Sequence, residues 1–190
     1  LADLHLAAAL ARLDVAPSAL RARVLADRSL VAFRRGDPTA AERLARASLR
    51  EGRRIDDAEA QSQAENLLAL LARRSGELEA ARRHLRRSLE LAARADNQGA
   101  RIAALNNLAL LDRAVGNLDS ALALTDEALR RCVIVGDRHH EAALRNNRAD
   151  LLQALGRRAE AEEELVRSAV AFADVGEEGF EPEIWKLVDW

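Results

Sequence analysis

The stretch 104-ALNNLALLDRAVGNLDSALALTDEAL-129 contains one member of a regular series of glycines. The series is spaced 40 residues apart and comprises Gly36, Gly76, Gly116 and Gly156. Five residues after each glycine stands an alanine: Ala41, Ala81, Ala121 and Ala161. Small residues also recur seven positions before each glycine and seven positions after each of these alanines. Four columns in register over four copies predict an internal repeat, which takes precedence over other interpretations of the sequence.

Each copy has the pattern of a helical hairpin. Its glycine suits the left-handed backbone conformation that ends one helix. In the first copy Pro38 follows, at a first-turn position of the next helix. The small columns indicate where two helix backbones approach closely, and runs of leucine such as 67–71 supply the apolar stripes. No strand pattern is present. The sequence therefore predicts an all-α fold, an α-α superhelix or solenoid of antiparallel helical hairpins.

We expect a single solenoid domain over residues 1–190. Residues 1–14 fit the second helix of a truncated repeat, and 180–190 fit a C-terminal capping helix in which Trp185 and Trp190 pack against the last hairpin. The four repeats are predicted at 18–54, 58–94, 98–134 and 138–174. The chain begins with Leu1, and with the incomplete first repeat this indicates a piece of a longer protein.

Composition excludes several classes of function. The formal net charge of −2 gives no footprint for direct nucleic-acid binding, and no apolar run has the length of a membrane span. Cys132 is the only cysteine, which favours a reducing, cytoplasmic setting and a small buried side chain. His139 and His140 are adjacent and point to different faces of a helix, so we expect two solvated histidines and no metal site. No catalytic set or cofactor motif is recognisable, and the chain is not expected to be an enzyme.

The repeat resembles the tetratricopeptide repeat. The resemblance rests on Leu108-Ala109, Gly116, Ala121 and Ala128, and on the same columns in the other copies. It covers nearly the whole chain, although the unit has 40 residues where about 34 is common. Asp112 and Thr125 stand where bulky residues are usual in the family, so the packing around them departs from the family's pattern.

Two further resemblances, to more specific groups of repeat proteins, indicate the kind of function. The run LNNLALL is similar to helix starts in kinesin light chain repeats, which bind cargo peptides. The C-terminal end of the chain resembles the end of large actinobacterial regulators. The resemblance rests on EPEIWKLVDW at 181–190 and on the preceding stretch AALRNNRADLLQALGRRAEAEEELVRSAVAFADVG at 142–176. In those regulators a cyclase-like or helix-turn-helix effector and an ATPase module precede a tetratricopeptide array.

Paired asparagines recur on the first helices of the repeats, where they are mediocre helix formers. They fall in two adjacent columns that contain Asn66, Asn106 and Asn146, and Asn107 and Asn147. In the family, residues in these columns line a concave groove and hydrogen-bond a peptide backbone. The resemblance implies the same here, with flanking side chains Arg23, Gln63, Arg73, Arg113, Asp150 and Gln153. The alternative is that the asparagines bridge neighbouring repeats.

The sequence thus predicts a module that binds a peptide or protein segment, as the sensory or scaffolding part of a larger bacterial regulatory protein. One alternative is a self-association module that forms homo-oligomers. Another is an array that senses a small molecule, as in related transcriptional regulators. A small-molecule site favours an aromatic-lined pocket, and the chain has only two tryptophans, three phenylalanines and no tyrosine. This composition favours a polar groove for peptides.

Overall fold

The structure is a computed structural model that describes His5 and residues 18–177. Eight α-helices account for the regular structure of residues 18–177: α1 Ala19–Arg34, α2 Pro38–Arg54, α3 Ala58–Arg74, α4 Leu78–Arg94, α5 Gln98–Ala114, α6 Leu118–Val135, α7 Arg138–Ala154 and α8 Arg158–Glu177. The predicted all-α repeat of helical hairpins is confirmed for these residues. The truncated repeat at 1–14 and the cap at 180–190, with its two tryptophans, lie outside the described residues.

Short polar side chains begin most of the first helices. The hydroxyl of Ser18 accepts from the backbone N–H of Arg21, and Asp57 and Asp137 accept in the same way at the starts of α3 and α7. These contacts satisfy N–H groups that have no partner inside the helix. The capping residues at the helix starts therefore recur with the repeat, as the apolar residues do.

The turns divide into two kinds. Within each hairpin the backbone reverses at a glycine in the left-handed region, with φ between 77° and 81° at Gly36, Gly76, Gly116 and Gly156. Between consecutive hairpins the equivalent left-handed residue is Gly136 in one copy and an aspartate, Asp56 or Asp96, in two others. Aspartate tolerates this conformation better than most side chains.

The chain forms two compact units, Leu1–Ala104 and Leu105–Trp190, with the boundary inside α5. Unit 1 has a core in which Leu67, Leu68 and Leu71 of α3 pack with Ala41 and Ala45 of α2. Unit 2 has a core of its own, built from Ala109, Ala121, Leu122, Ala149, Leu151, Leu152 and Ala161.

Small residues hold the paired helices close together. Ala81 and Ala121 are fully buried, as the alanine column predicts. Three hairpins also carry one buried hydrogen bond at the same register, from Ser48, Ser88 and Ser168 to backbone carbonyls of the partner helix 26 residues earlier. Cys132 is buried, as predicted. None of the described helices combines the length and the apolar character that crossing a membrane requires.

Candidate functional site

A strip of polar side chains lies on α7, within unit 2. Asn146, Asp150 and Gln153 are spaced by four and three residues, so they share one face of the helix. Asn146 and Gln153 are exposed to solvent. A guanidinium nitrogen of Arg113, at the end of α5, lies 3.1 Å from a carboxylate oxygen of Asp150, and both side chains are close to half exposed. We call Arg113, Asn146, Asp150 and Gln153 the α7 strip.

Beneath the strip, two asparagines join α5 to α7. The amide nitrogen of Asn147 donates to the amide oxygen of Asn106 over 3.0 Å. Asn106 is 3% exposed, and Asn107 beside it is equally buried. The bridging interpretation therefore describes the Asn106–Asn147 pair, whereas Asn146 lies at the surface. The columns that align in sequence differ in exposure from one copy to the next.

The corresponding side chains of unit 1 lie on α3. Gln63, Asn66 and Arg73 share one helix face and are all partly exposed. Arg23 of α1 is engaged nearby, with a guanidinium nitrogen 2.6 Å from a carboxylate oxygen of Glu59 on α3. Unit 1 thus presents an amide and a guanidinium on one face of a first helix, the same chemistry as the α7 strip.

Sequence reasoning missed a set of buried ionic contacts inside the hairpins. Glu65 is 4% exposed, and its carboxylate accepts a contact of 2.7 Å from Nδ1 of His84 and lies 3.4 Å from Arg53. Arg145 and Glu164, in unit 2, are 3.1 Å apart at the same sequence separation. The sequence does contain a sign of these pairs. Each pair joins two ionisable residues 19 positions apart, and both pairs occupy the same two columns of the repeat.

The two adjacent histidines are partly buried instead of fully solvated. Their rings pack edge to face with centroids 5.8 Å apart, and Nδ1 of His140 contacts the carboxylate of Asp137. Burial raises the pKa of Asp137, but its side-chain and backbone hydrogen bonds with His140 outweigh burial and leave the pKa below its usual value. Within the described part of the chain, no group of three or more histidine, cysteine, aspartate or glutamate side chains is arranged to hold a metal ion.

Comparison with solved structures gives one consistent fold. BtubC (BKLC) from P. vanneervenii is similar with a TM-score of 0.75 and 19% identity, over 94% of this chain and 74% of that one. A kinesin-light-chain-type protein of Podosopora anserina with nearly identical TPR-like repeats has a TM-score of 0.64 and 18% identity, over 93% and 85%. A Rap protein complexed with Competence and Sporulation Factor has a TM-score of 0.76 and 16% identity, over 90% and 49%. This chain therefore spans about half of the Rap protein.

The family comparison agrees with the geometry. No curated protein matches the sequence. The tetratricopeptide repeat model matches residues 100–169, which cover α6, α7 and most of α5 and α8. The glycine, alanine and small-residue columns of that segment continue at the same spacing through α1 to α4. On these grounds the chain is an all-α helical-repeat solenoid, and its residues 100–169 match the tetratricopeptide repeat model.

Proposed function

We propose that the chain binds a peptide or protein segment, and that it serves as the sensory or scaffolding part of a larger bacterial regulatory protein in the cytoplasm. The observation that carries the proposal is the α7 strip. It presents exposed amides and an exposed ion pair on a helix whose position is fixed from below by the Asn106–Asn147 hydrogen bond.

The chemistry of the strip suits a peptide backbone. A side-chain amide both donates and accepts, so Asn146 and Gln153 match the C=O and N–H groups of an extended segment. Asn106, Asn107 and Asn147 act beneath them as positioning residues. On α3 of unit 1, Gln63, Asn66 and Arg73 offer the same combination of groups.

The exposed ion pair adds selectivity for charge. Arg113 and Asp150 are both accessible, and exposed pairs of this kind contribute little to stability. A ligand can therefore replace either partner at little cost, presenting an acidic side chain to Arg113 or a basic one to Asp150. Arg73 of unit 1 would favour acidic segments in the same way.

The likeness to a Rap protein complexed with Competence and Sporulation Factor supports a role in binding, since that protein has the same fold and was solved with its ligand. The regulatory setting rests on the resemblance to the ends of actinobacterial regulators. The match of residues 100–169 to the tetratricopeptide repeat further supports the binding role, because stacked repeats form extended surfaces that can bind a partner.

A random dodecapeptide display library panned against the purified chain tests the proposal. We expect enriched sequences that bind the parent, and the double substitution Asn146→Ala, Gln153→Ala should weaken them at least about tenfold. Glu162→Ala, an exposed substitution on α8, is the matched control and should leave binding within about twofold. Failure to enrich any sequence, or equal binding by the α7 double variant, contradicts the proposal.

A further inference from the structure

We propose that unit 2 carries a second binding site, separate from the α7 strip, for an acidic amphipathic helix of a partner protein. The site is a groove over α7, between α6 and α8, and we call it the outer groove. Its α7 residues are Arg138, Glu141, Arg145 and Arg148. At 100° per residue they lie roughly 120° around the helix from Asn146, Asp150 and Gln153.

The outer groove consists of two adjoining depressions. The larger has a volume of about 440 Å³, and Leu129, Val133 and Ile134 of α6 form its apolar wall. The smaller, about 210 Å³, is bordered by Val166 and Val170 of α8. Both are lined by Arg145 and Arg167, so one ligand can occupy them together.

The apolar side chains of the groove are anomalies of the repeat. Val166 and Val170 are 65% and 57% exposed. Every earlier copy has a charged residue at these two positions: Arg46, Arg86 and Asp126 for the first, and Arg50, Glu90 and Arg130 for the second. Scattered exposed valines need no explanation, but these two border one concavity.

A similar substitution of an apolar for a charged residue occurs on α6. Ile134 is 82% exposed and stands where the other three copies have Arg54, Arg94 and Asp174. Val133 beside it is 59% exposed, and its position is an arginine in the first copy and an alanine in the second and fourth. The second helices α6 and α8 therefore both carry exposed apolar residues where the other copies have charged ones, and these residues line the same groove. An exposed apolar concavity rimmed by polar residues is the usual form of a protein-binding site.

The charge of the groove identifies the partner's chemistry. Among the lining side chains, five arginines face three acidic residues. Residues 105–177 as a whole have nine arginines and thirteen acidic residues, so the groove is a basic zone within an acidic unit. Arg145 and Arg148 are fixed against buried Glu164, each at 3.1 Å. A ligand with carboxylates is complementary to this surface.

The outermost arginines keep exposed ion pairs that a ligand can replace. Arg130 pairs with Glu127, and Arg167 pairs with exposed Glu163 through one guanidinium nitrogen while the other lies 3.1 Å from buried Glu164. Exposed pairs contribute little to stability. A carboxylate from a ligand can take their place. Apolar walls with arginines at the rim fit a helix whose leucines at i, i+3, i+4 and i+7 enter the groove and whose glutamates meet the arginines.

The test uses fluorescein-labelled designed peptides and fluorescence anisotropy. One probe has leucine at i, i+3, i+4 and i+7 with glutamate on the other faces, and the matched probe has lysine for every glutamate. We expect the glutamate peptide to bind and the lysine peptide to bind at least about tenfold more weakly. The double substitution Ile134→Gln, Val170→Gln should weaken the glutamate peptide at least about tenfold. Leu20→Gln, an equally exposed apolar site on α1, should leave it within about twofold.

Other results overturn the proposal. Absence of binding, equal binding of the lysine peptide, or equal loss with Leu20→Gln would show that the groove does not select this ligand. Loss of binding with Asn146→Ala, Gln153→Ala would place the peptide on the α7 strip instead. A chain that sediments as a dimer and becomes monomeric with Ile134→Gln, Val170→Gln would identify a second copy as the occupant. A tenfold rise in affinity on deletion of residues 178–190 would identify that segment as the occupant.

Discussion

Two residue positions within each hairpin alternate between an apolar and an ionic pair. In the first and third copies both positions are leucine, Leu25 with Leu44 and Leu105 with Leu124. In the second and fourth copies they are Glu65 with His84 and Arg145 with Glu164, which contact one another. The repeat thus accepts either solution, because each fills the space between the two helices of a hairpin.

This alternation predicts how the second hairpin responds to substitution. His84→Leu alone leaves the buried carboxylate of Glu65 with Arg53 at 3.4 Å as its remaining ionic partner, and we expect a loss of about 1–3 kcal/mol. Glu65→Leu combined with His84→Leu restores the leucine pair of the other copies, and should be within about 1 kcal/mol of the parent or more stable. Urea unfolding of the parent, both single variants and the double variant measures the coupling, and additive losses would contradict the prediction.

Burial makes the single thiol unreactive. Burial, followed by the negative charges of Asp137 and Glu141, raises the pKa of Cys132 to about 12. The thiolate is the reactive form, so at pH 8 the native thiol stays protonated and reactivity should appear only as pH approaches 12. We expect iodoacetamide at pH 8 to leave the native chain unmodified and to alkylate it fully in urea, measured by mass spectrometry. Rapid alkylation of the native chain would show that the side chain is accessible.

At the scale of the helix, α5 and α7 are joined by the buried Asn106 through its hydrogen bond with Asn147, and by the exposed Arg113–Asp150 ion pair. Asn106→Ala removes the acceptor for Asn147, and we expect it to cost about 1–2 kcal/mol because the partly buried amide of Asn147 loses its hydrogen-bond partner. Asn146 precedes Asn147 in α7 and is exposed, so Asn146→Ala should be neutral or slightly stabilising, because alanine is the better helix former. Thermal unfolding of the two variants distinguishes them, and equal effects would remove the structural role from Asn106.

The hydrogen-bond partners of the asparagines could not be predicted from the sequence. The glycine and alanine columns predict where each hairpin turns and where its two helices approach, because a left-handed turn and a close backbone contact each demand a specific residue type. The columns align Asn106 with Asn146, yet the hydrogen bond connects Asn106 to Asn147. Periodicity identifies equivalent positions but not the offset between neighbouring helices, which depends on how the side chains pack.

The outer groove was missed for a related reason. Ile134, Val166 and Val170 look like ordinary apolar residues of an amphipathic helix, and only the comparison of each with its column reveals that the other copies have charged residues there. Exposure depends on neighbouring helices, so only the structure shows that these residues converge on one groove.

At the scale of the whole molecule, the two units have separate cores. Leu68→Ala in unit 1 and Leu152→Ala in unit 2 each truncate a buried leucine, and each should cost about 2–5 kcal/mol. In a repeat array stability is approximately a sum of local terms. Hydrogen exchange should therefore accelerate mainly in 18–104 for the first variant and in 105–177 for the second. Uniform acceleration in both variants would show that the chain unfolds as one cooperative body.

The four glycines inside the hairpins have a consequence for the history of the gene. Because Gly36, Gly76, Gly116 and Gly156 have nearly the same φ and lie 40 residues apart, the chain passes from the first to the second helix of every copy through the same turn. An in-frame deletion with its breakpoints at two of these codons removes the second helix of one hairpin and the first helix of the next, and it joins the two helices that remain through the same turn. A duplication between the same codons adds one second helix and one first helix in the same way. Unequal recombination can therefore lengthen or shorten the array one hairpin at a time, without first disrupting the fold.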